Sequence, residues 1–306
     1  MTTRTYTAFG KINLVLGVGP AREDGFHKIE TIYQSISLHD TISFSPNEGQ
    51  AHVLTVSGLD AANVPTDSSN LLIRALERIN PEPEFYLDIH IEKGIPTAGG
   101  MAGGSADCAA GLKAANDIYG LNKTEEELCA IAAELGSDIP FCVVGGTQYG
   151  TGRGEILEAQ PCPNTYHWVV AVSDTGLSTP EVFRKFDEMN ISHEAFMHMT
   201  MGNVYRETLD RAFHAPTYEG SVLQLAQLMA NDLERPALAL RPELSEVLEF
   251  GKNNGAMRAM ISGSGPTCIF LVSNEDAAAN LVESFKNKGI TAFAAHTEKD
   301  GVRSGS

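Results

Sequence analysis

The segment that most constrains the fold of this chain is a glycine-rich stretch at residues 95–106, Ile-Pro-Thr-Ala-Gly-Gly-Met-Ala-Gly-Gly-Ser-Ala. It places four glycines within six residues, after a run typical of a strand and before an alanine-rich run typical of a helix. Glycine lets the backbone bend close to a ligand, and the N-terminus of a helix offers N–H groups with a partial positive charge. The segment therefore predicts an anion-binding loop. The alternative is a flexible surface loop, but such a loop is not normally lodged between two apolar elements.

Two familiar phosphate-binding patterns do not fit this loop. It lacks the Lys-Ser/Thr ending of a Walker A loop, and its glycines are not spaced as in the dinucleotide-binding fingerprint. Two other glycine turns, Ser262–Pro266 and Gly150–Gly154, are each typical of a hairpin and carry little information alone.

Charge narrows the classes of partner. The 306 residues include 22 basic and 39 acidic side chains, a formal charge of −17. A protein that binds a long nucleic acid needs a basic face, so we expect no nucleic acid, whereas a small anionic ligand is not excluded.

The N-terminus lacks an apolar signal region and no apolar run approaches the roughly 20 residues of a membrane span, which indicates a cytoplasmic protein with no membrane partner. Five scattered cysteines suggest neither disulfides nor a zinc site.

The length predicts two lobes with a cleft, since single cores stop growing near about 250–300 residues, and the mixture of strand and helix patterns indicates the α+β class. In the first half we predict strands at 5–18 (interrupted at Gly10), 29–38, 41–44, 53–56, 85–91, 139–145 and 148–149, and helices at 70–79, 105–119 and 124–135. In the second half we predict strands at 168–172, 257–261, 268–272 and 291–295, and helices at 180–189, 221–228, 242–253 and 275–288. We place the lobes at 1–163 and 164–298, followed by a frayed tail at 299–306.

Polar side chains also occur in apolar surroundings at two places. Lys11 and Asn13 flank Ile12 on the first predicted strand, so both project to the same side. Asp138 stands after Gly136-Ser137 at a predicted helix-to-strand junction. Each residue is ordinary singly, since a lysine on a strand is usually solvated. Together they allow a Lys–Asp pair beside the anion-binding loop.

These features follow an order that resembles the galactokinase, homoserine kinase, mevalonate kinase and phosphomevalonate kinase (GHMP) superfamily. The resemblance covers residues 5–297. It rests on Gly10-Lys11-Ile12-Asn13-Leu14, Arg22-Glu23-Asp24-Gly25-Phe26-His27, the loop at 96–105, Gly136-Ser137-Asp138-Ile139-Pro140-Phe141 and Gly263-Ser264-Gly265. The loop alone indicates only the superfamily, whereas the segments at 10–14, 22–27 and 136–141 resemble the branch that phosphorylates a cytidylated sugar alcohol of the non-mevalonate isoprenoid route. The fold implied has an N-terminal lobe like ribosomal protein S5 domain 2 and a ferredoxin-like C-terminal lobe.

The resemblance implies ATP-dependent phosphorylation of the 2-hydroxyl of that cytidylated alcohol. In the superfamily, the positions of Lys11 and Asp138 face the substrate hydroxyl, and Asn13 helps to place it. Asn70 and Lys93 lie towards the nucleoside of ATP. The implied phosphate-binding residues are Pro96, Gly99, Gly100, Met101, Ala102, Gly103, Gly104 and Ser105. Mg²⁺ is the implied metal, with Ser105 as the residue that approaches it.

The resemblance also implies a cytidine site. Phe26 stacks on the cytosine, and His27 meets its polar edge. Thr179 and Phe183 line the same pocket. The expected partners are therefore ATP and a small cytidylated sugar alcohol.

Three departures from the superfamily pattern bear on these roles. Phe26 stands where many relatives carry Tyr, so a hydroxyl contact is lost while stacking remains available. Met101-Ala102 replaces the common Leu-Gly, and Ala106-Asp107 stands where Ser-Asn or Ser-Ala occurs. The loop shape should survive these changes.

Two other functions are weighed against this one. A GHMP kinase of the homoserine or mevalonate type would share the loop but not the Asp-Gly-Phe-His segment at 24–27. A non-catalytic nucleotide-binding module would keep the loop, yet it would not need a lysine and a carboxylate on separate elements.

Overall fold

A long antiparallel strand pair forms the centre of the larger sheet. In the computed structural model, which describes residues 2–23, 25–97, 99–189, 191 and 204–305, β1 (Arg4–Ala21) pairs with β2 (His27–Asn47). The sequence predicted a break at Gly10 and two strands in place of β2, and both predictions were wrong. The register shifts between Phe9 and Gly10 without ending the pairing, because an irregularity that leaves two extra residues on β2 is absorbed as a bulge and bends the strand. Asp24 and Ala98, which belong to the sequence motifs, lie outside the described residues.

Six further strands complete this sheet, numbered in chain order. They are β3 (Val53–Gly58), β4 (Tyr86–Lys93), β5 (Thr147–Thr151), β6 (Ile156–Ala159), β8 (Ala230–Asn231) and β12 (Val302–Ser304). The order is β12-β1-β2-β4-β3, while β5 pairs with β2 and β6, and β8 pairs with β1. The strands predicted near β3, β4 and β5 are confirmed, whereas β6 and β8 were not predicted. β2 runs along one side of β1, while β12 at Tyr6–Ala8 and β8 at Val15–Leu16 pair with its other side, so β1 is held on both sides near its two ends.

Helices pack against this sheet and against each other. A 3₁₀ turn (Ala61–Asn63) precedes α1 (Leu71–Ile79), and α2 (Gly103–Ile118) packs on β1 and β2. The Asn70 side chain accepts a hydrogen bond from the Leu72 N–H and so caps α1. The predicted capping box at Thr124 is present at the start of α3 (Glu125–Leu135). These helices are therefore confirmed, with starts within a few residues of the prediction.

The segment predicted as a strand at 139–145 is a short helix, α4 (Ile139–Val144). Pro140 lies in its first turn, where the missing N–H costs no intrahelical hydrogen bond. The run Ile-Pro-Phe-Cys-Val-Val is buried almost throughout, and a short buried apolar run has no periodicity that separates a strand from a helix. The prediction failed for this reason.

The second half of the chain forms a four-stranded antiparallel sheet with helices. The strands are β7 (His167–Ala171), β9 (Arg258–Ile261), β10 (Cys268–Val272) and β11 (Ala292–His296), in the order β11-β7-β10-β9. The helices are α5 (Thr179–Glu188), α6 (Val204–Phe213), α7 (Tyr218–Leu228), α8 (Glu234–Leu240), α9 (Leu244–Asn253) and α10 (Glu275–Asn287). The strands alternate with helices in a βαββαβ order typical of ferredoxin-like lobes. The sequence prediction missed α6 and α8.

The predicted frayed tail contains an ordered strand instead. In β12, Val302 pairs with Ala8 of β1, and the Phe9 N–H donates to the Gly301 carbonyl over 2.9 Å. Val302 is buried in the core. The outer edge of β1 would otherwise expose unpaired N–H and C=O groups, and β12 satisfies them. The tail prediction was therefore wrong for residues 302–304, and Ser306 lies outside the described residues.

The cores of the two halves share the central strands. One core joins the helices on the larger sheet to one face of the smaller sheet, including Trp168 and Val170. In the other core, Leu16, Val18 and Ile29 of the long strand pair pack with residues of the second half. The domain bounds of 1–163 and 164–298 stay a prediction. None of the described helices is long and apolar enough to cross a membrane.

Candidate active site

A cleft of 860 Å³ brings together most of the residues that the sequence predicted. Its walls include Lys11, Asn13, Phe26, His27, Asn70, Lys93, Pro96, Gly99, Gly100, Ala102, Gly103, Gly104, Asp138, Thr179 and Phe183. Met101 and Ser105 are not among its lining residues. The cleft also has Tyr33, Asp107, Arg153, Gly263 and Ser264 on its walls, and none of these was a predicted site residue.

The glycine loop lies between β4 and α2 in a conformation that needs glycine at two positions. Gly99 and Gly100 have φ of +103° and +86°, in the left-handed region that side chains rarely adopt. A Cβ on Gly100 would lie 2.8 Å from the Ser262 carbonyl oxygen. Ala102 takes φ of 57° just before the first turn of α2. The loop is therefore tightly folded, and it leads directly into the N–H groups at the start of α2.

Met101 anchors the glycine loop to the core and to β1. Its side chain is fully buried in the core, and its carbonyl accepts the Lys11 N–H over 3.1 Å. This contact fixes the loop against β1 at the position of the predicted catalytic lysine. Met101 thus contributes its backbone to the site, and its side chain stabilises the fold.

The second glycine turn, between β9 and β10, reaches the loop from the other half of the chain. Ser262 Oγ donates to the Gly100 carbonyl over 2.9 Å, and Thr267 Oγ1 donates to the Gly99 carbonyl over 2.5 Å. Asn231 holds the turn in place, because its Nδ2 donates to the carbonyls of Ile261 and Gly263. The hairpin prediction for this turn is confirmed. That this turn also holds the glycine loop in place could not be predicted from a local sequence pattern.

Lys11, Asn13 and Asp138 form a polar cluster on the cleft wall. Lys11 Nζ donates to Asn13 Oδ1 over 2.8 Å and lies 3.7 Å from Asp138 Oδ2. Asn13 Nδ2 donates in turn to Thr31 Oγ1 on β2, which fixes the amide. Lys11 is buried, whereas 34% of the Asp138 side chain is exposed. The cluster therefore places a cation beside a carboxylate that a ligand can reach.

Tyr33 is a functional candidate that sequence reasoning missed. Its hydroxyl donates to Asp138 Oδ1 over 3.1 Å, and its ring lies 5.3 Å from Lys11 Nζ. Tyr33 comes from β2, and only the β1–β2 register brings it beside Lys11. To predict Tyr33 as a site residue, the β1–β2 register would have been needed, and the local sequence pattern does not supply it.

Aromatic side chains line the far end of the cleft. Phe26 is 53% exposed, and the Arg153 guanidinium lies 5.3 Å from its ring centroid. His27 is buried with its ring 5.3 Å from that of Phe183. Its Nδ1–H donates to the Gly19 carbonyl over 2.8 Å, and its Nε2 lies 3.4 Å from Asp187 Oδ2. Because both ring nitrogens have protein partners, the imidazole of His27 is held in a fixed orientation.

The segment at 178–183 completes this end of the cleft. Thr179 Oγ1 hydrogen-bonds to Ser264 Oγ over 2.8 Å, which ties the start of α5 to the second glycine turn. Phe183 lies one turn further along α5, where it faces the same opening. The two predicted residues of this segment are therefore brought to the cleft with Phe26 and His27.

A buried ionic cluster lies under the loop. Lys93 Nζ donates to Asp40 Oδ2 and, over 2.8 Å, to Asp107 Oδ2. Asp40 Oδ1 accepts the N–H groups of Gly94 and Ile95, where the loop begins. Burial opposes ionisation of Lys93, but the charges of Asp107 and Asp40 outweigh it and raise the pKa of the ammonium. Asp40 was not predicted as a site residue.

The Asp107 carboxyl is the least satisfied member of this cluster. Its Oδ1 is buried with no hydrogen-bond partner. Burial, followed by the charge of Asp40, raises the pKa of Asp107 to about 8. One carboxyl of the cluster therefore retains a proton over part of the neutral range, which offsets the cost of two anions beside one cation.

The described residues contain no group of three or more His, Cys, Asp or Glu side chains that could hold a metal ion. Mg²⁺ does not need such a cage when phosphates are present, since one or two carboxylates, water and phosphate oxygens complete its octahedron. The exposed carboxylate of Asp138 supplies a hard oxygen donor at the cleft wall. The residues present therefore fit a magnesium ion that enters with a nucleotide. The role of Ser105 at magnesium stays a prediction.

Comparisons with known proteins match this arrangement to one family. The GHMP kinases N terminal domain matches residues 70–146, and the GHMP kinases C terminal domain matches residues 212–291. A 4-diphosphocytidyl-2-C-methyl-D-erythritol kinase of Corynebacterium diphtheriae is 45% identical, with 95% of this chain and 94% of the relative covered. The kinase of the same name from Rhodococcus jostii is also 45% identical, with 92% and 87% covered.

Solved structures agree on the fold. A crystal structure of 4-(cytidine 5'-diphospho)-2C-methyl-D-erythritol kinase superposes with a TM-score of 0.77 at 28% identity, covering 96% of this chain and 98% of the other. A homoserine kinase from Cytophaga hutchinsonii superposes with a TM-score of 0.73, covering 99% and 98%, but at 16% identity it shows the fold alone. The predicted two-lobed α+β GHMP kinase fold is confirmed. With relatives this similar over almost its whole length, the chain belongs to the 4-diphosphocytidyl-2-C-methyl-D-erythritol kinase family of the GHMP kinases.

Proposed function

We infer that this chain transfers the γ-phosphoryl group of ATP to the 2-hydroxyl of 4-diphosphocytidyl-2-C-methyl-D-erythritol, in the non-mevalonate route to isoprenoid precursors. The observation that carries this proposal is one cleft that joins the glycine loop to the Lys11–Asp138 pair and to the exposed ring of Phe26. A kinase for such a substrate needs a phosphate site, a reacting centre and a base site in line, and the cleft supplies all three.

ATP binds with its phosphates in the loop and its nucleoside beside the start of α1. Gly103 and Gly104 begin α2, so their N–H groups and the helix dipole attract the triphosphate. Asn70 caps α1 through its Oδ1 and is held by the Pro65 carbonyl through its Nδ2, so it forms a firm wall on the nucleoside side. Lys93 contributes positive charge below the loop, although Asp40 and Asp107 neutralise much of it.

Transfer depends on positioning and on neutralisation of charge. Phosphoryl transfer passes through a loose transition state, so the protein mainly aligns the attacking oxygen with the γ-phosphorus. Asp138 accepts the proton of the substrate hydroxyl through its exposed carboxylate, and Lys11 stabilises the negative charge that develops on the oxygen. Asn13 fixes Lys11 through the 2.8 Å hydrogen bond between them.

Mg²⁺ supplies charge neutralisation at the β- and γ-phosphates when it is bound with ATP. Three carboxylates line the cleft, those of Asp107, Asp138 and Asp187, and Asp138, beside the proposed reacting centre, would be the one to hold such an ion. A net charge of −17 does not prevent the binding of two anionic substrates, because the field inside a cleft depends on its own lining.

The cytidine end of the substrate lies between Phe26 and Phe183. An exposed aromatic ring offers a stacking face for a pyrimidine, and the missing tyrosine hydroxyl does not affect stacking. The sequence predicted that His27 meets the polar edge of the cytosine, but both its ring nitrogens already have protein partners, so here His27 supports the pocket as a rigid wall. Thr179 lines the same pocket from the start of α5.

The test is transfer of label from [γ-³²P]ATP to candidate alcohols in the presence of Mg²⁺. We expect label on the cytidylated alcohol and none on 2-C-methyl-D-erythritol 4-phosphate, homoserine or mevalonate. An Asp138→Asn variant should bind ATP normally and lose roughly 10²–10⁴-fold in turnover. Label on homoserine or mevalonate alone would reassign the enzyme within the GHMP kinases, and no transfer with retained ATP binding would indicate a nucleotide-binding module.

A further inference from the structure

Tyr33 contacts both members of the proposed reacting pair. It lies on β2, only 1% exposed, with its hydroxyl 3.1 Å from Asp138 Oδ1 and its ring 5.3 Å from Lys11 Nζ. The ring packs against Phe141 on the opposite side, with centroids 4.9 Å apart. The side chain is therefore clamped between the core and the cleft.

The glycine hairpin at 150–154 makes room for this side chain. A Cβ on Gly154 would lie 2.1 Å from the Tyr33 hydroxyl oxygen, and a Cβ on Gly150 would lie 2.8 Å from Tyr33 Cε2. The hairpin joins β5 to β6, and β5 pairs with β2 beside Tyr33. Two glycines that the sequence marked only as a turn thus define where the hydroxyl can sit.

The Tyr33 hydroxyl acts as a permanent donor. Burial and the neighbouring charge of Asp138 raise the pKa of Tyr33 well above its usual value, so the phenol keeps its proton at every pH at which a kinase works. It cannot take the proton of a substrate hydroxyl. Its proton is committed to Asp138 Oδ1, while Asp138 Oδ2 lies towards Lys11.

We propose that Tyr33 is a positioning residue of the phosphoryl transfer, which fixes the Asp138 carboxylate so that Oδ2 meets the substrate hydroxyl. This role rests on the proposed function of Asp138 and Lys11. A carboxylate at the start of α4 with 34% of its side chain exposed would otherwise rotate, since the Asp138 side chain accepts no capping hydrogen bond from that helix. The hydrogen bond from Tyr33 holds Oδ1 and leaves Oδ2, which lies 3.7 Å from Lys11 Nζ, to accept the substrate hydroxyl.

Tyr33→Phe separates positioning from packing, because it removes the hydroxyl and keeps the ring over Lys11 and Phe141. A hydrogen bond to a charged group of this kind supports a loss in kcat of about tenfold. KM for ATP and for the cytidylated alcohol should each change by less than about twofold, since the hydroxyl is buried and already donates to Asp138. The melting temperature should remain close to that of the unchanged protein.

A double-mutant cycle with Asp138→Asn supplies the sharper readout. If Tyr33 acts through Asp138, then adding Tyr33→Phe to the Asp138→Asn variant costs less than about twofold, because the carboxylate that Tyr33 orients is gone. Tyr149→Phe is the matched control, since it removes a phenol from the neighbouring strand β5 outside the cleft and should leave kcat unchanged.

Three results would overturn the positioning role. The first is an unchanged kcat in Tyr33→Phe. The second is that Tyr33→Phe lowers kcat by the same factor in the Asp138→Asn background as in the unchanged protein. The third is a rise in both KM values together with a lower melting temperature. Label transfer by the unchanged protein is measured first, so a failure of the proposed kinase function is seen before any variant is made.

Discussion

At the scale of single residues, Lys11 is held by partners on three different elements. Its ammonium meets the Asn13 amide oxygen, the Asp138 carboxylate and the face of Tyr33. A buried charge is tolerated only when such partners replace water. The position of this one cation therefore depends on β1, β2 and the start of α4 together.

Lys11→Met should lower kcat by roughly 10²–10³-fold, because the charge on the reacting oxygen loses its partner. KM for ATP should change much less, since the loop and not Lys11 holds the triphosphate. Steady-state kinetics with both substrates varied measure the two effects. If ATP affinity alone fell, Lys11 would belong to the phosphate site.

Phe26→Ala should weaken binding of the cytidylated alcohol by roughly tenfold to a hundredfold, which corresponds to the loss of a stacked aromatic ring. The ring is 53% exposed, so its removal should leave the melting temperature and KM for ATP unchanged. Phe26→Tyr is the matched control and should be tolerated. Equal losses for both substrates together with a lower melting temperature would mean that the ring is structural.

Asp107 makes stability depend on pH in a direction opposite to that of a carboxylate whose pKa is lowered by folding. Its pKa is raised in the folded state to about 8 from 3.8, so the folded protein holds a proton that the unfolded chain releases. The contribution of this group to the free energy of unfolding is therefore full below about pH 4 and declines as the pH rises towards about 8.

Asp107→Asn isolates that contribution. The stability of the unchanged protein relative to the variant should fall between pH 5 and pH 8 and level off above about pH 8, because the titrating group is absent from the variant. Urea unfolding of both proteins across this range measures the difference. A difference that does not vary with pH would show that Asp107 is ionised in the folded protein throughout.

At the scale of elements, most of the predicted site residues lie together in one cleft, whereas several of the elements that carry them were predicted wrongly. The alternation of polar and apolar residues placed Lys11 and Asn13 on one face of β1, and the glycine spacing placed the loop before α2. Both predictions rest on neighbouring residues in the sequence. The strand predicted at 139–145 is helix α4, since six buried apolar residues carry no usable period. Asp40 and Tyr33 were missed because their partners, Lys93 and Asp138, lie on elements far away in the sequence.

The loop contains a glycine that the protein does not need for its own packing. A Cβ on Gly104 would meet only Leu71 Cδ1, at 3.9 Å, so Gly104→Ala should fold normally and α2 should gain slightly from the better helix former. The added methyl group fills space where phosphates approach, so ATP affinity should fall by about tenfold or more. Calorimetric titration with ATP and a thermal melt on one preparation test this.

Gly100→Ala is the contrasting variant. Gly100 has φ of +86°, and a Cβ there would lie 2.8 Å from the Ser262 carbonyl oxygen, so this change should lower the melting temperature. If Gly104→Ala bound ATP with unchanged affinity, the first turn of α2 would be only a structural element.

At the scale of the whole molecule, the strand that carries Lys11 depends on residues at the other end of the sequence. Deletion of residues 299–306 removes β12, bares the edge of β1 and exposes the site filled by Val302. We expect a lower melting temperature and lower turnover together, because β1 positions Lys11 and the Met101 carbonyl. Deletion of 305–306 alone keeps β12 and should be nearly neutral, and equal effects of the two deletions would contradict this role.

The long strand β1 passes from one core into the other, and this limits how the enzyme can move. Hinge closure needs a boundary that few contacts cross, whereas Leu16 and Val18 of β1 are buried among residues of the second half. A rotation of one half against the other would pull these side chains out of their packing. Because β1 is packed into both cores, we expect the cleft to be largely preformed and the two halves to move little against each other when substrates bind.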